Sequence, residues 1–378
     1  MTRRLRTAVI GGGLIAQAVH LPNLVRLQDL FEIVAIVDAS PTVAEGLAAR
    51  YGDAVSYADW RQMLDRERLD AIVVCSPHAT HASITLAALC RGLNVFVEKP
   101  LCISPNDAKA ICAARDETGL VVQVGYMKRF EPAYQRFLDG LPTSADQLRL
   151  VTVVTYDPSM AREPFVPWNQ MIHSNDIPVP ALEEQRDSEF RQVQEAVGFD
   201  DDRTVRAYSH TFLACLIHDV NLIHGALDRL GVDGPLLPAA AADWAAGDGG
   251  TIVVQLPNGA PWHSSWVLLP GLMEFRERAT LHFADAIHEI SFPSPYDQRA
   301  GVAHSITSAR NSKPVHRDRA ITGDAFAAEL SHFHDCVVER APCRCPPEQA
   351  ARDIELLRDL FVSGATANQT LSQGASAR

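Results

Sequence analysis

One stretch near the N-terminus constrains this chain more than any other. Arg6-Thr7-Ala8-Val9-Ile10 reads as a short strand. Gly11-Gly12-Gly13-Leu14-Ile15-Ala16 follows at once, and a helical apolar pattern then runs to about Leu27, with Pro22 as a candidate break. A strand that turns directly into a helix through glycines is the first half of a βαβ unit, and the pattern G-x-G-x-x-A suits a phosphate-binding turn. Gly11 permits the tight turn, Gly13 lets the backbone approach a pyrophosphate, and Ala16 allows close helix–strand packing. Leu14 and Ile15 lie at the helix N-terminus, whose N–H groups and dipole favour anions.

The second strand, Phe31 to Val37, ends at Asp38, 22 residues after Ala16. A carboxylate there suits the adenine ribose hydroxyls and repels a 2′-phosphate, which predicts NAD rather than NADP.

Further strands alternate with helices, as βαβ units require. Helices are expected near Val43–Tyr51 and Trp60–Leu64, on either side of a short Ala54–Tyr57 segment. Ala71 to Cys75 is a buried strand closed by Ser76-Pro77-His78, and a helix from His81 to Arg91 leads to Val95-Phe96-Val97. That strand stops at Glu98-Lys99-Pro100. Ligands in open α/β sheets bind beyond the carboxyl ends of strands, so this charged pair faces a crevice. Proline restricts the residue before it and holds Lys99 in an extended or turn geometry. A helix near Pro105–Glu117 and the strand Val121–Val124 complete a doubly wound domain over residues 1–125.

After Gly125 the pattern changes. Tyr126 to Phe130 leads into a helix through Leu138. Strands are expected at Leu148–Tyr156, Thr251–Leu256, Trp262–Leu268, Glu274–Phe283 and Ala286–Phe292, several alternating as in an antiparallel sheet with one covered face. Asp157 to Val205, with five prolines, reads as an irregular excursion, a lid or a dimer arm. Helices are expected over Thr211–Leu230, Asp324–Arg340 and Pro347–Phe361. Residues 126–362 thus form an α/β domain, and 363–378 a frayed tail.

The chain has 378 residues and a net charge of -12, which argues against nucleic acid and anionic membranes as partners. No stretch reaches the ~18 apolar residues of a membrane span. The basic start Met1 to Arg6 does not read as a signal peptide, since the apolar run after it breaks at Gly11. Eight scattered cysteines read as reduced thiols of a cytoplasmic protein, and no Cys/His spacing predicts a metal.

The sequence resembles the glucose–fructose oxidoreductase / inositol dehydrogenase / rhizopine-catabolism (Gfo/Idh/MocA) family over most of its length. The resemblance rests on Gly11–Ala16, on Ser76-Pro77 with His81, and on Gly92-Leu93-Asn94-Val95-Phe96-Val97-Glu98-Lys99-Pro100. Gly125-Tyr126, Arg129-Phe130 and Phe326-Ala327-Ala328-Glu329-Leu330 with Phe333 add to it. It implies an N-terminal Rossmann domain, a C-terminal α/β domain with an open, mainly antiparallel sheet, and assembly as a homodimer or homotetramer. It implies hydride transfer between nicotinamide and a secondary alcohol or ketone of a sugar, cyclitol or related polyol. It makes Lys99 the catalytic lysine, and Glu98 a support for Lys99 and the nicotinamide ribose. Ser76, Pro77, His81, Gln123 and Arg129 join the cofactor contacts.

The resemblance also places a histidine at His218 as acid/base, but Ala214 stands where the family carries aspartate one helical turn earlier. Residues 214, 218 and 221 share one helical face, which sets His218 beside a methyl group and Asn221. His218 is assigned as the base, since an imidazole titrates near neutrality. Lys99 polarises and orients the oxygen, and the reverse assignment stays open. Tyr126, Tyr208, His210 and Asn221 are weaker substrate candidates. Two other readings compete: an enzyme that holds NAD tightly and uses transient oxidation for elimination or glycoside cleavage, and a non-catalytic NAD-binding regulator.

Overall fold

In the computed structural model, residues 3–52, 54–158, 163–199, 201–244, 247–297, 299–308, 314–319 and 323–376 are described, with backbone alone for 314–319 and 365–376. The chain forms two compact units. The first comprises Met1–Met127, Val166–Gln192 and Asp324–Ala351; the second comprises Lys128–Phe165, Val193–Gly323 and Arg352–Arg378.

The first unit is built on six parallel strands: β1 (Leu5–Ile10), β2 (Phe31–Val37), β3 (Val55–Tyr57), β4 (Ala71–Val74), β5 (Asn94–Glu98) and β6 (Val122–Gly125). Their order is β3-β2-β1-β4-β5-β6, the doubly wound arrangement with its switch between β1 and β4. The register brings their carboxyl ends level. Ile10 pairs with both Val37 and Val74, Val74 with Val97, and Val97 with Val124. The next residues along this rim are therefore Asp38, Gly11, Cys75-Ser76, Glu98-Lys99 and Gly125-Tyr126. The strands are nearly continuous apolar runs because helices cover both faces. Phe31, Ile36, Val73 and Phe96 lie in the core, joined by Leu330 and Phe333 of the distant helix Ala325–Val338.

The second unit holds eight strands: β7 (Leu148–Asp157), β8 (Leu237–Trp244), β9 (Gly249–Gln255), β10 (Pro261–Leu268), β11 (Arg276–Phe283), β12 (Ala286–Phe292), β13 (Ala303–Ser308) and β14 (Pro314–Arg319). Their order is β14-β13-β12-β11-β7-β10-β9-β8. Among the described residues only β7 and β10 pair in parallel, so the sheet is mainly antiparallel, as expected. The alternating burial of β7 turns Val151, Val153 and Thr155 inward. The strands β8, β13 and β14 were not expected. Leu237-Pro-Ala-Ala-Ala-Ala-Asp-Trp has little intrinsic strand preference and is held by pairing to β9.

Two expectations are corrected. Asp157 to Val205 is not wholly irregular: a 19-residue helix spans Val179–Val197 and a short one Asp202–Val205. All five prolines precede it or lie in its first turn, where proline is tolerated, and the Glu/Gln/Arg-rich remainder favours helix. The expected α-helix Thr211–Leu230 is also interrupted. Arg206–Leu216 is π-helical, and a regular α-helix runs only from Ile217 to Arg229. A π-helical turn holds more residues than an α-turn, so a face drawn across that junction at α spacing does not hold.

Candidate active site at the carboxyl ends of the parallel strands

The glycine turn has the shape that a dinucleotide requires. Gly11 has φ 98°, and a Cβ there would lie 2.5 Å from the Cys75 carbonyl oxygen, so glycine is needed where the chain crosses from β1 past β4. At Gly13 the reverse holds: a Cβ would meet nothing within 4 Å. That face of the backbone is open to an approaching group. Leu14 and Ile15 are half-buried at the start of the helical segment, which is π-helical over Ala16–His20. Asp38 accepts the Gly12 N–H at 2.7 Å and the Ser40 N–H at 2.8 Å, which fixes its carboxylate beside the turn. An open glycine backbone and a helix start offer donors to a pyrophosphate, and an oriented carboxylate offers an acceptor to the hydroxyls of an adenine ribose.

At the other end of the rim, Glu98 holds the Lys99 backbone. Glu98 is buried; its Oε2 accepts the Lys99 N–H at 3.1 Å, while Oε1 lies 2.6 Å from His20 Nε2. Lys99 itself is half-buried, and the Lys99–Pro100 peptide is cis. His81 ties this corner together. One ring nitrogen faces the Pro100 carbonyl oxygen and the other the Ser76 carbonyl oxygen, each at 2.7 Å. Burial pushes its pKa below the usual histidine value, and the two carbonyl acceptors partly offset this. Ser76 shares a hydrogen bond with Thr80 at 2.7 Å, and exposed Pro77 caps the helix His78–Cys90.

Behind Glu98 lies a residue that sequence reasoning quoted but did not place. Glu329 is fully buried, and neither of its carboxylate oxygens has a hydrogen-bond partner among the described residues. Burial first, then the Glu98 and Asp324 charges, push its pKa well above the carboxylate range. His20, Glu98 and Glu329 bring ligand-type atoms within 4.8 Å of one another, a donor set that could hold a metal ion. Within the same cluster His20 Nε2 and Glu98 Oε1 are in direct hydrogen-bond contact at 2.6 Å. Gln123, expected on the cofactor, is fully buried and donates to the Glu329 carbonyl oxygen at 2.8 Å.

In the second unit, His218 is half-buried in the first turn of the helix Ile217–Arg229, and Ala214 is half-buried in the π-helical stretch. Asn221 is buried and donates to Asp353 at 2.7 Å. Arg129 is buried and donates to the Asn221 carbonyl oxygen at 3.0 Å. Tyr126 and Tyr208 are buried, Tyr208 with its ring 5.3 Å from that of Phe361, and His210 is exposed. Next to His218, Asp219 accepts a hydrogen bond from Thr155 at 3.2 Å. Burial and Glu277 push Asp219 well above the carboxylate range, and Lys128 and Thr155 pull it partway back. Lys128 is ion-paired with Glu277. No local pattern announces this buried acid; its neighbours come from three other segments.

Comparison with known proteins agrees with the first unit. Residues 5–126 match the oxidoreductase family with an NAD-binding Rossmann fold. The chain is 34% identical over 152 residues to 4-carboxy-2-hydroxymuconate-6-semialdehyde dehydrogenase of Sphingobium sp. (strain NBRC 103272 / SYK-6), a match covering 40% of this chain and 48% of that protein. It is 34% identical over 134 residues to scyllo-inositol 2-dehydrogenase (NAD(+)) of Bacillus subtilis (strain 168), covering 35% of this chain and 39% of that protein. These matches span half or less of the relatives' own length. Among solved structures, UDP-N-acetylglucosamine 3-dehydrogenase from Acidithiobacillus ferrooxidans superposes with a TM-score of 0.67 at 18% identity, covering 96% of this chain and 98% of that one. That likeness shows the shared fold.

Proposed function

Because the chain belongs, through residues 5–126, to the Gfo/Idh/MocA oxidoreductase family with its NAD-binding Rossmann fold, we propose that it is an NAD-dependent dehydrogenase or ketoreductase. Its substrate is a secondary alcohol or ketone of a sugar, cyclitol or related polyol. The observation that carries this reading is the level rim, where the open Gly13 turn and Asp38 lie at one end and Lys99, its backbone bonded to Glu98, at the other. Bound nicotinamide would supply the hydride acceptor or donor.

The protein's own residues would do the rest. Lys99, its backbone held by Glu98, orients and polarises the substrate oxygen. His218 takes or returns the hydroxyl proton, a role supported by its match to the family position and by its partial exposure. Asp38 holds the adenine ribose hydroxyls and disfavours a 2′-phosphate. The named relatives include a cyclitol dehydrogenase, which supports the substrate class. A cytoplasmic homo-oligomer is the setting we assign to it.

A second reading, in which NAD stays bound and is reduced only transiently, is favoured by one feature. The segment at Gln170–Ile172 is hydrogen-bonded onto the glycine turn through Gln17, whose amide donates to Gly12 and Ile172 carbonyl oxygens at 2.7 and 3.0 Å. A spectrophotometric screen of sugars, cyclitols and amino sugars with added NAD tests both. Net NADH formation with one of them supports the dehydrogenase. Substrate conversion without net NADH supports the second reading, and neither outcome with any substrate sinks both.

A further inference from the structure

The turn after β2 holds two carboxylates, and only one is explained by a dinucleotide. Asp38 accepts the Ser40 N–H at 2.8 Å. Ser40 donates its hydroxyl to a second acid, Asp176. Asp176 also accepts the Thr42 N–H at 3.0 Å, the Thr42 hydroxyl at 2.7 Å and the Ser174 hydroxyl at 2.6 Å. Thr42 lies in the first turn of the helix Pro41–Arg50, so Asp176 sits on that helix N-terminus. It is 136 residues from Ser40 in the chain.

The stretch that delivers Asp176 is fastened to the same unit at several points. Ile172 donates its N–H to the Gln17 side-chain oxygen at 2.8 Å, and Arg50 donates to the Gln170 carbonyl oxygen at 2.8 Å. The Ile172 side chain packs against Gly46, where a Cβ would lie 2.8 Å from its Cδ1 atom.

A 2′-phosphate would project from the ribose oxygen that Asp38 is placed to hold. It would need donors close by, and the turn offers the Ser40 and Thr42 hydroxyls and the helix N–H groups. The two hydroxyls and the Thr42 N–H already serve Asp176, and the Val43 N–H serves Ser40 Oγ. The hydrogen bonds to Asp176 hold its carboxyl well below the usual carboxylate range, so it stays anionic at any working pH. A phosphate would have to displace it and also accept its repulsion.

We infer that Asp176 is a specificity-determining residue: an intramolecular carboxylate that fills the place of the 2′-phosphate and excludes NADP(H), in addition to Asp38. This rests on the reading that the crevice binds a dinucleotide with its adenine ribose on Asp38. The test measures dissociation constants for NADH and NADPH on the full chain by fluorescence titration. Adenosine 2′,5′-bisphosphate serves as a competitor, and melting temperature as the control for folding. In Asp176→Ala the NADPH/NADH ratio of dissociation constants should fall roughly tenfold or more, through tighter NADPH binding. Adenosine 2′,5′-bisphosphate should compete more strongly. Asp176→Asn, which keeps the side-chain shape and one accepting oxygen but not the charge, should give a smaller fall. Asp38→Ala should narrow the ratio by the other route, weaker NADH binding. Asp176 variants that discriminate as the wild type does overturn this inference alone, and Asp176→Asn decides if Asp176→Ala does not fold. Wild-type protein that binds neither dinucleotide overturns the crevice reading and this inference with it.

Discussion

His20 Nε2 lies 2.6 Å from Glu98 Oε1, with both side chains nearly or wholly buried. This pair sets the direction of the Glu98 carboxylate and leaves its other oxygen for the Lys99 N–H. Glu329, beside it, has its pKa raised by burial above the value it would have unfolded. Such a group stabilises the fold fully below its unfolded pKa, and that stability is lost as pH rises towards the raised folded value. The slope is at most about 1.4 kcal/mol per pH unit. Glu329→Gln keeps the shape without the ionisation. Its unfolding free energy should fall less steeply with pH above the ordinary carboxylate range, and it should equal or exceed the wild type at mildly alkaline pH. Urea denaturation across pH checks this. A variant with the wild-type slope would show that Glu329 is not held protonated.

The two outer fingerprint glycines should fail differently when changed to alanine. Gly11→Ala forces a left-handed residue with its Cβ 2.5 Å from a backbone oxygen, and should destabilise the protein by at least ~2 kcal/mol. Gly13→Ala meets no neighbour and should unfold within ~1 kcal/mol of the wild type. Its methyl would stand where the pyrophosphate approaches, so NADH binding should weaken roughly tenfold or more. Thermal melts with NADH titration separate the two. Full NADH affinity in Gly13→Ala would remove the phosphate from that face.

Gln17 joins the glycine turn to the segment at Ile172 through three hydrogen bonds. Gln17→Ala should cost about 1–3 kcal/mol, since it leaves buried and half-buried backbone groups without this partner. If the segment helps retain the cofactor, the variant should also release NADH faster in stopped-flow measurements. An unchanged dissociation rate would weigh against the retained-cofactor reading.

Lys99→Ala and His218→Ala should each lower turnover by ~10²–10⁴ while still binding NADH. If both serve one proton transfer, their combined effect should be less than the product. Ala214→Asp would add a carboxylate near His218 and favour the imidazolium, which moves the rising limb of the pH–rate profile to higher pH if His218 is the base. The π-helical geometry around Ala214 makes this a test of distance as well as charge. Near-normal turnover in His218→Ala would leave Lys99 as the single acid/base candidate.

The parts of this protein that the sequence by itself determined are those encoded within one turn or one strand. Gly11 and Gly13 announce a tight phosphate turn, Asp38 ends β2, and Glu98-Lys99-Pro100 ends β5, because steric and hydrogen-bonding demands there involve near neighbours. The alternation of β7, β10, β11 and β12 was legible for the same reason. Tertiary structure decided whatever depends on partners far along the chain. His20 reaches Glu98 across 78 residues, Gln123 reaches Glu329 across 206, and Ser40 reaches Asp176 across 136. It also made a strand of the alanine-rich β8 through pairing with β9, and turned the helix before His218 into a π-helical stretch. A single sequence records the chemistry of such residues but not their partners, since burial and pairing are properties of the packed fold and leave no local period to read.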